Sequence, residues 1–369
     1  MARDLRAREE KRMHTRRRPE ADGRYSLGGA QRSLIMLTVK RRPDRITPMK
    51  LGTICILAAL LLKHMAMAQT VELIADRSFQ RGLEVKDRAG KEQVIAWNAN
   101  AAPPIWNTAQ HHSKSSFADK AFQTLTTNGF YFKDNYEMLA IHPTNADADV
   151  ICGVNGDHEF GGVLREPGDP WPHLYLEQRI SGPRGHLGAT APTLADIKKI
   201  DFAVSIKLLF DRKKSGPTYS RHVHAAHYLF FFTVQNLNHK STGYGDYYWF
   251  GIALYDDRYA VTALSAMQDK GSAKKKGTNK FIYDIGMKPF TDKVVAAGDW
   301  VSVTGDLLPH IIAGLQECWR GGYLTASQNL ADYGIGGCVV GWEVTGLNDV
   351  AIAVKGLRAT ATLKSAQRP

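Results

Sequence analysis

The chain has 369 residues, with 48 Lys+Arg against 36 Asp+Glu and a formal net charge of +12. That charge sits at one end: residues 1–48 hold fourteen Lys+Arg against six Asp+Glu, and residues 49–68 add two lysines, which leaves +2 on residues 69–369. With the basic run confined to the first 68 residues, a net +2 on the remainder is not the strongly basic balance of a nucleic-acid-binding protein, so no nucleic-acid partner is expected.

Residues 1–48 are charge-rich and poor in apolar side chains, and such a segment cannot bury enough surface to fold. They read as disordered, or as a leader assigned in error with Met49 the true initiator. From Met49 the stretch "MKLGTICILAALLLKHMAMAQT" carries the parts of a signal peptide in order. Lys50 gives the basic start, Leu51 to Leu62 the apolar stretch, and Ala66-Met67-Ala68 a small-x-small cleavage site before Gln69. The apolar stretch of about 12 residues is shorter than the roughly 20 that span a bilayer. Residues 49–68 are therefore expected to be removed, giving a secreted or periplasmic protein without stable membrane insertion.

The expected mature chain of 301 residues suits one large all-β domain, with residues 69–100 as an N-terminal extension and 101–369 as the domain. Strands of period two follow one another: "GFYFKD", "HLYLEQRI", "IDFAVSIKLLF", "HYLFFFTVQN", "YYWFGIALYD", "KFIYDIG", "WVSVTG", "GCVVGWEVTG" and "DVAIAVKGL". One helix interrupts them near 306–320, in "GDLLPHIIAGLQECWRGG", with Asp306 as N-cap and Gly321-Gly322 as the stop. Many strands without βαβ alternation predict an antiparallel β-sandwich of the jelly-roll kind. Three cysteines follow Gln69, and export would permit a disulfide, Cys318–Cys338 being the easiest pair to form.

Side chains alternate across a strand, so parity divides core from outer face. Phe202, Val204, Ile206, Leu208 and Phe210 make one core row, Tyr248, Phe250, Ile252 and Leu254 another, and Cys338, Val340, Trp342 and Val344 a third. The opposite parity collects His173, Tyr175, Glu177, Arg179, Lys207, His227, Gln235, Tyr247, Trp249, Tyr255 and Glu343. If these share one sheet they line a groove, and exposed aromatic rings beside polar groups suit sugar rings. The competing expectation is that a loop or the helix covers this face as a second core layer. An exported jelly roll with such a face resembles the concanavalin A-like lectin and glucanase superfamily, over about residues 101–365. The resemblance rests on architecture. The E-x-D-x-E signature of one large glucanase family is absent, as are the Q-I-H and Y-F-K-A-G motifs of jelly-roll alginate lyases.

What the resemblance implies is binding and cleavage of a polysaccharide or glycan, the alternative being a non-catalytic lectin-like or surface-adhesion domain. For hydrolysis, Glu177 and Glu343 are the expected acid/base or nucleophile pair, which requires carboxyls about 5 to 10 Å apart. For a lyase, Arg179, Lys207 or Gln235 would neutralise a uronate and His227, His173 or Tyr175 would act as base. Tyr175, Lys207, Gln235, Tyr247, Trp249 and Tyr255 are the expected substrate-binding residues. "HVHAAH" places His222 and His224 at metal-ligand spacing, while His227 falls on the other face of a strand. No metal and no cofactor is expected. "DKGSAKKKGTNK" reads as a solvated hairpin loop able to steer an acidic polymer.

Overall fold

The computed structural model describes residues 69–144 and 146–365. The expected leader, residues 1–48, and the expected signal peptide, residues 49–68, lie outside the described residues. In chain order the described strands are β1 (Thr70–Glu72), β2 (Leu83–Lys86), β3 (Glu92–Ile95), β4 (Trp106–His111), β5 (Gln123–Leu125), β6 (Phe130–Lys133), β7 (Glu137–Ile141) and β8 (Val150–Asn155). After a five-residue helix α1 (Gly156–Phe160) come β9 (His173–Arg179), β10 (Ile197–Lys214), β11 (Ala226–Asn236), β12 (Tyr247–Asp256), β13 (Ser265–Gln268), β14 (Phe281–Asp284) and β15 (Val301–Asp306). Helix α2 (Leu308–Arg320) leads into β16 (Tyr333–Val344) and β17 (Leu347–Leu363).

These strands form two sheets packed face to face, the β-sandwich that the strand pattern predicts. One sheet runs β15-β10-β17-β8-β7-β6-β5, with β1 also on β17; the other runs β13-β14-β12-β11-β16-β9-β4-β2-β3. Pairing is antiparallel except for β12–β14 and β2–β4. Residues 69–100, expected as an extension, supply strands to both sheets, and Leu73, Ile74, Phe79, Leu83 and Val85 are buried.

The core lies between the sheets, where the parity rows place it. Phe202 of one sheet meets Phe230 of the other with ring centroids 4.8 Å apart, and Phe250 and Trp342 are fully buried. Trp342 needs a partner for its indole N–H in that dry layer and donates to the Cys152 carbonyl at 3.0 Å across the sheets. Helix α2 buries Leu308, Ile311 and Leu315, and its Ile311 carbonyl accepts from the Tyr248 hydroxyl at 2.6 Å. Its N-cap position is Leu307 and not Asp306. Asp306 still serves the first turn, accepting from the Leu308 and Ile200 amides at 3.0 and 2.9 Å. The helix stops at Gly321, followed by Gly322 at φ +79°.

The expected Cys318–Cys338 disulfide is not formed. Cys152, Cys318 and Cys338 are free and buried, Cys318 on α2 and Cys338 in β16. Burial pushes the Cys152 and Cys318 thiols up to about 12 and Cys338 higher still, so they pack as small apolar groups.

Candidate functional site

The outer face of the nine-stranded sheet is ordered in cross-strand rows, because paired residues project from the same side. One row is wholly titratable: Asp256 on β12, His227 on β11, Glu343 on β16, His173 on β9 and His111 on β4. The next row inward contains Leu229, Gly341, Tyr175 and Ala109. Two positions further, Gly251, Phe231, Val339, Glu177, Asn107 and Glu84 line up from β12 to β2. Trp249, Thr233, Gly337 and Arg179 follow.

Glu343 is the anchor of the first row. Its carboxylate accepts from the Tyr175 hydroxyl and from the Trp171 indole N–H, the latter at 2.9 Å, and His173 Nε2 lies 3.8 Å away. Burial alone would raise this carboxyl, but His173, His227 and the two donors outweigh it and hold it below the usual carboxylate range. His173 itself is pushed down to about 4, chiefly by burial, so at neutral pH it is uncharged and the phenol and indole donors carry the carboxylate. The Nε2 of His227 is buried and has no hydrogen-bond partner.

The "DKGSAKKKGTNK" loop is the hairpin between β13 and β14, largely exposed as expected, and it is anchored as a strap to the loop before β9. Asp269 accepts from the Thr278 amide and hydroxyl at 2.7 and 2.8 Å and fixes its base. Ser272 donates to the Gly168 carbonyl at 2.7 Å and Lys274 pairs with Asp169 at 2.6 Å, which fixes its tip. Lys275 then stacks on Trp171, its Nζ 3.1 Å from the ring centroid. Over the central strands Tyr175, Leu229, Phe231 and Val339 form a second small buried apolar cluster, with Ala109, Trp249, Ala253 and Ile282 packed against it.

Beyond the strap the face opens into a cleft of about 1020 Å³ over β2, β4 and β9. Glu84, Asn107 and Glu177 lie on its floor, Arg179, Arg184 and His186 at one end, and His111, Ser113 and Lys114 at the other. Burial raises the Glu177 carboxyl against the opposing pull of Arg179 and Lys86. Beside the same cleft, burial pushes Glu137 up to about 8; Gln110 donates to it, and Glu159 nearby accepts from Ser113 at 2.6 Å.

The expected site residues are therefore divided. Glu343, His227, His173 and Tyr175 come together under the strap, and Glu177 and Arg179 face the open cleft. Glu177 and Glu343 do not face each other: Glu343 is opposite His173, four residues from Glu177, which separates them by about 13 Å along the strands. The Glu343 carboxylate is held from both sides, by Trp171 before His173 and by Tyr175 between His173 and Glu177. Lys207 is on β10 of the other sheet, stacked on Trp300 at 4.9 Å, and cannot reach this face. Tyr255 is turned inward by a register shift between Tyr228 and Leu229: it packs on Trp342 and donates to Asp211 at 2.7 Å. Tyr247 and Trp249 keep the outer face, edge to face at 5.3 Å, with Gln235 opposite Tyr247; none of the three lines the cleft.

His222 is exposed on a turn ahead of β11, and His224 is buried with Nδ1 accepting from Ser220 and Nε2 against the Arg165 carbonyl, each at 2.9 Å. Both ring nitrogens of His224 are thus satisfied by backbone groups. Sequence reasoning did not single out Glu84, Asn107, Trp171 and Lys275. Glu84 alternates with buried Leu83 and Val85, a parity signal too short to stand out, and only the fold brings the other three to this face.

No protein-family model matches the chain, and no curated protein matches it. Among solved structures it is similar to a family 11 xylanase from Neocallimastix patriciarum, at 9% identity over 70% of this chain and 100% of that one, TM-score 0.35. It is also similar to a family 12 xyloglucanase from Bacillus licheniformis, at 11% identity over 70% and 100%, TM-score 0.36. A metagenome-derived family 12 endoglucanase matches at 11% identity over 70% and 99%, TM-score 0.35. Similarity at this level says nothing of activity here, and the sandwich stands on its own strand pairing.

Proposed function

We propose that the protein is exported, binds a polysaccharide along the cleft over β2, β4 and β9, and hydrolyses it there. The observation that carries this reading is a half-buried carboxyl, Glu177, raised by burial and standing on the floor of an open, polar-lined cleft of about 1020 Å³. Departure of a glycosidic oxygen requires a proton donor, and burial shifts the Glu177 carboxyl toward its protonated form. Arg179, Arg184 and His186 offer hydrogen-bond donors to hydroxyls at one end of the cleft, and His111 and Ser113 at the other. Tyr175, Trp171 and Lys275 act behind the site, by holding Glu343 and the strap.

A non-catalytic lectin-like role is the second reading, favoured by one observation: Glu343 of the expected pair is four positions out of register with Glu177, about 13 Å along the strands, and its carboxylate is taken up by Tyr175 and Trp171. The experiment that separates the readings incubates protein beginning at Gln69 with soluble β-1,4-glucan, β-1,4-xylan, β-1,3-glucan, polygalacturonate and alginate. New reducing ends from at least one, abolished by Glu177→Gln, support hydrolysis. Binding without cleavage supports the lectin reading. Unsaturated uronide absorbing in the ultraviolet would identify a lyase instead. No binding to any of the five removes the polysaccharide reading.

A further inference from the structure

The cleft floor holds a second carboxylate that the expected pair did not include. Glu84 on β2 is opposite Asn107 on β4, and Asn107 is opposite Glu177 on β9. Three side chains in one cross-strand row share a face, and all three line the cleft. Neighbouring strands are about 4.8 Å apart, so the Cα atoms of Glu84 and Glu177 stand about 10 Å apart with Asn107 between them.

We propose that Glu177 and Glu84 are the acid and the base of an inverting glycoside hydrolysis, with Asn107 holding the water or a sugar hydroxyl between them. This rests on the polysaccharide-cleaving reading above. Inverting enzymes keep their carboxyls about 6.5 to 9.5 Å apart to leave room for a water, whereas retaining enzymes need about 5 to 5.5 Å. A row with one residue interposed fits the wider spacing; the narrower one would require both side chains to lean together over Asn107.

Availability points the same way. Among the described residues, the carboxylates of Glu84 and Glu177 have no ion pair and no hydrogen bond, nor does the Asn107 amide. The other cleft acids are engaged: Glu92 pairs with Lys86 at 3.4 Å, and Asp87 caps its own turn through the Ala89 and Lys91 amides at 2.9 and 2.8 Å. The two glutamates also differ in setting, since Glu177 lies deeper in the sheet and is the one that burial favours in the protonated form.

In the step, the Glu177 proton passes to the glycosidic oxygen as the anomeric carbon–oxygen bond breaks. A water on the opposite face forms the new bond to the anomeric carbon and yields its proton to the Glu84 carboxylate. One water is consumed, and proton exchange with solvent returns both carboxyls to their starting forms.

The test follows the first products by proton NMR, with protein beginning at Gln69 and the five polysaccharides named above as probes. The expected result is a newly formed reducing end whose anomer is opposite to that of the cleaved linkage. Glu84→Gln and Glu177→Gln should each lose at least about 100-fold in rate with an unchanged far-ultraviolet circular dichroism spectrum. Glu84→Asp, which keeps the charge but draws it back, should lose nearly as much. Retention of configuration, or full activity in Glu84→Gln, overturns the pair while leaving hydrolysis itself standing. Absence of hydrolysis on every probe removes the reading beneath it, and the pair with it.

Discussion

Glu177 and Glu343 project from the same face of adjacent strands but four positions out of register, and only Glu343 is held, by the Tyr175 hydroxyl and by Trp171 Nε1 at 2.9 Å. Two similar residues thereby acquire different work. Glu343 is a structural carboxylate that ties β9, β16 and the loop before β9 together beneath the strap. Replacing it by Gln should cost about 1 to 3 kcal/mol of stability at neutral pH, the range for a hydrogen bond to a charged group. Its carboxyl is depressed in the folded state, so its contribution is present above the ordinary value of 4.5 and lost as pH falls through the folded value. Urea unfolding should therefore show the wild-type advantage over Glu343→Gln shrinking below pH 4.5. Cleavage should stay within about tenfold of wild type, the shift expected if stability alone had changed. Loss of cleavage in a Glu343→Gln protein of unchanged stability would place the chemistry under the strap instead.

Glu137 gives the opposite pH signature. It is buried at 3% exposure, its Oε1 has no partner, and burial pushes its carboxyl up to about 8. A raised folded value means that the protonated form is the one the fold tolerates. Its contribution is complete below 4.5 and lost as pH rises through about 8. Between those limits the wild type should lose on the order of 2 to 5 kcal/mol relative to Glu137→Gln. Thermal melts of the two proteins from pH 5 to pH 9 check this; curves that stay parallel contradict it.

Phe250 and Trp249 are neighbours in β12 with opposite fates. Phe250 is fully buried between the sheets, so Phe250→Ala should cost about 3 to 5 kcal/mol as a cavity. Trp249 touches Phe231 at 5.7 Å on the outer face and is only partly buried, so Trp249→Ala should cost about 1 to 2 kcal/mol of lost area burial. Because Trp249 lies three strands from β9, sugar binding in the cleft should change less than about threefold. A Trp249→Ala protein that folds normally but no longer binds glycan would move the ligand to β12.

The three buried thiols make a simple prediction. Protein beginning at Gln69 should release no thiol to a colorimetric disulfide reagent when native and three after denaturation without reductant. A single thiol under those conditions would show that two of the three are bridged and contradict the free-thiol arrangement.

Parity carried much of the fold. The Ile200–Leu208 even row of β10, the even row of β12 and the Cys338–Val344 row of β16 are buried as alternation requires, while Phe210, past a register shift in β10, is only half-buried; the apolar stripe of α2 covers the sandwich. Strands such as β5, with three residues, and β8, with glycine inside it, carry too little alternation to be read. Strand order was invisible, because β16 is paired with β9 through contacts more than 150 residues apart. That pairing set the Glu177–Glu343 separation, as β10's pairing with β15 and β17 put Lys207 on the other sheet and β2's with β4 brought Glu84 beside Asn107. The irregularity that turned Tyr255 inward is equally local and silent, since an extra residue in a ladder leaves no mark on composition.

The most direct measurement is reducing-end release from the five polysaccharides by wild type, Glu177→Gln and Trp249→Ala, each beginning at Gln69 and verified as folded. The account predicts release by wild type and Trp249→Ala at similar rates, and at least about 100-fold less by Glu177→Gln. Undiminished release by Glu177→Gln, or release by none of the three, would contradict it.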